Sequence, residues 1–157
     1  MKDISDCGYL ALSVSQAIHL FHLQCMDYSL HVLLNSIYED FDKFADDLLE
    51  NLQGSRNLQI KSDLSEYPTN APKDVNELMM FLDQFGNLMD SFGEKDPGVL
   101  NVINSFEEKL NKYVSLLARF KDPKIEMGMF KEELGNTKFN PDNYRAPNSE
   151  IQPDKED

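Results

Sequence analysis

The chain has 157 residues, the length of one domain, with 28 Asp and Glu set against 15 Lys and Arg for a formal net charge of -13. That charge repels phosphates and anionic headgroups, and no basic block interrupts it, so direct binding of nucleic acid or of a membrane surface is not expected. The opening MKDISDCGYL has no basic segment leading into an apolar one, and no stretch approaches bilayer-spanning length, so a cytoplasmic protein is expected.

The first predicted helix covers 5 to 25, with Leu10, Val14, Ala17, Ile18, Phe21 and Cys25 on one face. Cys7 and Cys25 would then lie ~27 Å apart along that helix, beyond disulfide reach. Both read as free thiols, which fits a reducing compartment. After a break at Met26, Asp27 and Tyr28, a second helix over 28 to 53 carries Leu30, Leu33, Leu34, Ile37, Phe41, Phe44, Ala45, Leu48 and Leu52 in an i, i+3, i+4 register. Gly54 is its predicted stop. Residues 55 to 72 are polar, contain Pro68 and Pro72, and form a connection long enough to cross a bundle.

The third helix, 73 to 93, presents Val75, Leu78, Met79, Leu82, Phe85, Leu88, Met89 and Phe92, with Asp74 and Glu77 spaced as a capping box and Gly93 as its stop. The fourth, 97 to 121, opens on the N-cap and proline pair Asp96-Pro97 and presents Leu100, Ile103, Phe106, Leu110, Tyr113, Val114, Leu117 and Phe120. Beyond Pro123 the apolar residues thin out. Residues 122–157 are expected to be an extended or disordered acidic tail, with a short helix near 124 to 134 and room for a protein partner. The expected fold is therefore all-α: a bundle of four helices over 1–121, with a long crossover between helices two and three as in ferritin-like proteins.

The chemistry concentrates in one window. All three histidines, His19, His22 and His31, fall close together, and Glu39, Asp42, Asp46 and Glu50 follow at helical spacing. Imidazoles and carboxylates on adjacent helices form the ligand set of a carboxylate-bridged metal site. At about 100° per residue, His31, Asn35, Glu39, Asp42, Asp46 and Glu50 make a stripe roughly opposite the apolar face of helix two. Leu12, Leu20, Leu23, Val32, Tyr38 and Leu49 share that outer side, so a symmetric subunit interface holding the site between two chains is expected. The plainer alternative is a solvated polar face on an acidic chain, with Tyr28 and Tyr38 serving for packing.

The segments QAIHLFHLQ and HVLLNSIYEDFDKFADDLLENLQG resemble the mini-ferritins of the Dps type, and also the ferritin-like proteins of tailed bacteriophages, over about residues 16–54. The resemblance assigns His19, His31, Asp46 and Glu50 to ferroxidase ligation, with the histidines from one subunit and the carboxylates from its two-fold mate. Glu39, Asp42 and His22 are supporting ligand candidates. One position departs: where the family has Asp four residues after the second histidine, this chain has Asn35. The resemblance implies an iron-binding homodimer or larger symmetric oligomer that oxidises Fe(II), with zinc or manganese as competitors. The other reading is a non-enzymatic acidic helical module that binds a protein partner, phage-encoded or acting as a mimic of nucleic-acid charge, on a fold that has lost the chemistry.

Overall fold

A computed structural model describes residues 3–67 and 69–120. The expected tail at 122–157, its short helix and the last residue predicted for helix four lie outside the described residues. Within them the secondary structure is helical, with α1 at Ser5–Gln24, α2 at Tyr28–Arg56, α3 at Val75–Ser91 and α4 at Pro97–Leu117, followed by a single 3-10 turn at Ala118–Phe120. No described residue is in a strand.

Local chemistry explains where the helices begin. Asp27 accepts a hydrogen bond from Leu30 N at 2.8 Å, Asp74 from Glu77 N at 2.8 Å, and Asp96 from Gly98 N and Val99 N at 2.8 and 3.2 Å. Each aspartate satisfies an amide that the first helical turn leaves without an intrahelical acceptor. At α1 the pairing is reciprocal: Ser5 N donates to Asp3 Oδ1 at 2.8 Å while Asp3 N donates to Asp6 Oδ2 at 3.1 Å.

Gly93 ends α3 region as expected, with φ +57°. Gly54 does not end α2. That helix runs through it to Arg56, and Asn57 takes the left-handed conformation at φ 53°, its N–H donating to Gln53 O at 3.1 Å. Asn adopts this backbone more readily than other residues with a Cβ, so it terminates the helix without a glycine.

The helices that pack most closely are α1 with α2, α2 with α4 and α3 with α4, with a lighter contact between α1 and α3. The centre is an aromatic cluster. Phe41 meets Phe85 and Phe106 edge-on with centroids at 5.2 and 4.9 Å, and Phe44 stacks on Phe106 at 4.2 Å. Phe21, Leu34, Ile37, Phe41, Leu48, Leu82, Phe106 and Leu117, which the periodicity marks as core, are all buried. Polar links tie α4 to α2: Lys109 Nζ donates to Asp40 at 2.6 Å, and Tyr113 Oη donates to the other oxygen of the same carboxylate. Arg56, at the end of α2, pairs with Glu94 in the α3–α4 turn at 2.6 Å.

The connection after α2 corrects one expectation. Leu49, read as part of an outer apolar face, is covered by the chain itself, in a small second cluster with Tyr9 and Tyr67. Tyr67 donates to Asp6 and accepts from Lys61 Nζ at 2.6 Å, while Lys61 N donates to Tyr9 Oη at 3.1 Å. These bonds hold the connection against the start of α1.

The same region requires Gly8. A Cβ there would meet Leu49 Cγ at 2.8 Å and Cδ2 at 2.9 Å. Gly8→Val is expected to lower stability by ~1–3 kcal/mol, the usual cost of overpacking, despite valine's better helix propensity. Denaturant unfolding of the double variant with Leu49→Ala checks the cause. It should lose less than the sum of the two single losses, because truncating Leu49 opens the space the added side chain needs.

Candidate functional site

The turn between α1 and α2 sets the geometry of the histidines. Because α1 and α2 are antiparallel neighbours joined by three residues, the end of one faces the start of the other. His22 and His31 are brought together with Nε2 atoms 2.8 Å apart and ring centroids 3.7 Å apart. His31 Nδ1 lies 3.2 Å from His22 O. A carbonyl oxygen only accepts, so that nitrogen carries the proton, and a neutral His31 presents a lone pair at Nε2.

His19 is close but differently placed. It is exposed, and its ring stacks on Tyr38 with centroids at 4.4 Å, while its centroid is 5.7 Å from that of His22. His22 is the buried histidine at 6% exposure, and its Nδ1 has no hydrogen-bond partner among the described residues. Burial pulls the His22 pKa below the ordinary histidine range, the neighbouring His31 and His19 push the same way, and Glu39 opposes them. A neutral imidazole is the form that binds a metal ion.

A polar chain leads from the histidines down α2. Tyr38 Oη donates to Asn35 Oδ1 at 2.8 Å, and Asn35 Nδ2 donates to Glu39 Oε1 at 2.7 Å. Ser15 on α1 anchors the same turn by donating to Tyr38 O at 3.0 Å. Asn35 thus uses both ends of its amide, which Asp could not do. Spacing alone did not reveal this role of Tyr38, because it depends on which side of α2 meets α1.

The carboxylates stand apart from the histidines within one chain. Glu39, Asp42, Asp46 and Glu50 are exposed. By the helical rise, Asp46 and Glu50 lie ~22 and ~28 Å along α2 from His31. Among the described residues no group of three His, Cys, Asp or Glu side chains is arranged to hold a metal ion. Burial and the nearby Asp6 and Asp3 push the Cys7 thiol up to about 12, and burial also raises Cys25, whose Sγ donates to Asp27 O at 3.4 Å.

Apolar residues surround the histidine end of the molecule. Leu20 is 55% exposed, Leu23 65% and Val32 47%, with Met26 and Tyr28 more open still at the turn. Elsewhere, a groove of about 410 Å³ between α2 and α4 is lined by Asp40, Lys43, Asp47, Asn101 and Lys109 among others. Its lysines are committed to Asp47 and Asp40. No helix among the described residues is long and apolar enough to cross a membrane.

Neither family models, nor curated proteins, nor solved structures provide a match to this chain.

Proposed function

We propose that this chain is a ferritin-like protein that binds Fe(II) as substrate between two symmetry-related copies and oxidises it. The observation that carries this reading is the division of the ligand set. Imidazoles from α1 and α2 gather at one end of the α1/α2 pair, and the exposed carboxylates of α2 stand towards the other. One chain cannot close such a site, but two antiparallel copies related by a two-fold axis near Glu39 bring His31 of each opposite Asp46 and Glu50 of the other.

The arrangement of the bundle supports the same reading. Asp40 on α2 meets Lys109 and Tyr113 on α4, and Arg56 meets Glu94, so α4 runs antiparallel to α2 and α3 parallel to it. A connection between two parallel helices is what a ferritin-like crossover requires, and this supports the reading.

In this site His19 and His31 donate neutral nitrogen, with His22 beside them, and Asp46 and Glu50 supply negative oxygen that favours the more highly charged ferric product. Mixed imidazole and carboxylate donors suit iron. Each Fe(II) gives up one electron to dioxygen or peroxide.

Anaerobic Fe(II) titration followed by oxygen exposure tests the proposal. Glu50→Gln is expected to weaken binding and slow oxidation at unchanged helix content, since it keeps the size of the side chain and removes its charge. Asn35→Asp is expected to do the opposite. It replaces the hydrogen bond to Glu39 with two adjacent carboxylates, a repulsion that a bound cation relieves. Unchanged iron uptake in both variants would overturn the reading.

A second reading, a helical interaction module without chemistry, is favoured by Asn35 itself, whose amide is fully engaged by Tyr38 and Glu39. It predicts no iron-dependent effect in either variant.

A further inference from the structure

We propose that His22 and His31 form a two-histidine site for a divalent transition metal of the zinc class, contained within one chain. Their Nε2 atoms converge to 2.8 Å from two different helices. The orientation is fixed from behind: His31 Nδ1 is held on His22 O at 3.2 Å, the backbone support that typically sets a histidine's tautomer and aims its other nitrogen at a metal. His22 is buried and keeps its ring in place by packing.

The metal-free pair and the loaded pair differ by one proton position. With His31 Nδ1 protonated, the short contact requires His22 Nε2–H to donate to His31 Nε2. A cation between the two rings needs a lone pair from each, so the His22 proton moves to Nδ1, which has no hydrogen-bond partner among the described residues. No proton is released overall. Zinc binds imidazole nitrogen at about 2.0–2.1 Å, so a tetrahedral ion separates the two Nε2 atoms to roughly 3.4 Å, a shift of about half an ångström. Water fills the remaining positions. Imidazole donors without a carboxylate select zinc and copper over magnesium or calcium.

This site needs no second copy and does not rest on the Fe(II) reading, although both use His31. The test is calorimetric titration of the full chain with Zn²⁺ after chelator treatment, with Co²⁺ absorption as a spectroscopic check. One ion per chain is expected, together with a rise in melting temperature on adding Zn²⁺. His22→Gln and His31→Gln should each abolish both effects, while His19→Gln and Glu50→Gln retain them. Absence of Zn²⁺ binding by the unaltered chain would overturn the proposal, as would binding that survives in the His22 and His31 variants. Loss in Glu50→Gln would also overturn it, by assigning the ion to a site shared between copies. If the His22 variant loses its helical circular dichroism, the less buried His31 position decides. Slower iron oxidation by Glu50→Gln with Zn²⁺ binding intact separates the outcome of this proposal from that of the Fe(II) site.

Discussion

Phe41→Ala is expected to destabilise the bundle by about 3–5 kcal/mol, the usual cost of truncating a fully buried phenylalanine. Phe41 has 0% exposure, and its ring lies against those of Phe81, Phe85 and Phe106. It therefore joins α2 to both α3 and α4. Removing it costs the transfer energy of the ring and opens a cavity bounded by other rings, which cannot all move inward without giving up their own contacts. Urea unfolding followed by circular dichroism should show a lower midpoint with little change in slope, the sign of lost stability in an otherwise intact native state. A substitution at Asp42, one position on and exposed, should leave the midpoint nearly unchanged. Equal effects at the two positions would refute the assignment of the core.

The contrast between Phe41 and Leu49 shows how far the fold is legible in the sequence. Phe41 lies on an apolar stripe of period 3.6, and that stripe has to be buried wherever the other helices pack. Leu49 lies off the stripe and is buried against Gly8 and Tyr9 of α1 and against Tyr67, which belongs to a polar connection. Helical periodicity contains no information about such a contact. The helix starts were readable because Asp27, Asp74 and Asp96 cap through their own side chains, a local matter. The end of α2 differs from the sequence expectation because the left-handed residue is Asn57 and Gly54 stays helical, a choice that composition does not make.

The candidate site divides in the same way. That the histidines meet follows from two antiparallel helices joined by a short turn, so spacing alone is enough to gather them. Which two point at each other does not follow, since a turn of the helix separates His19 from His22. The resemblance put His19 first, whereas the closest pair is His22 with His31, and His19 stacks on Tyr38. The carboxylates Asp46 and Glu50 were correctly read as outward-facing, and a second chain is what the proposed iron site adds to them.

Leu23→Glu combined with Val32→Glu is expected to abolish Fe(II) oxidation without unfolding the protein. Both side chains are largely exposed in the single chain, at 65% and 47%, so replacing them removes little from its own core. In a two-fold assembly every substitution occurs twice on one self-complementary surface, so the change adds four negative charges to a patch that buries apolar contacts. The chain is already at -13, and the added repulsion has no basic side to offset it. Light scattering should shift from twice the chain mass of 18.1 kDa to that mass itself. Iron oxidation should fall with it, because each half-site keeps its imidazoles but loses the carboxylates of the other copy. The two-histidine Zn²⁺ site, being internal to the chain, should still bind. A variant that becomes monomeric yet oxidises iron at the original rate would place the chemistry within one chain and end the shared-site proposal. A parent chain that is already monomeric at micromolar concentration would end it sooner.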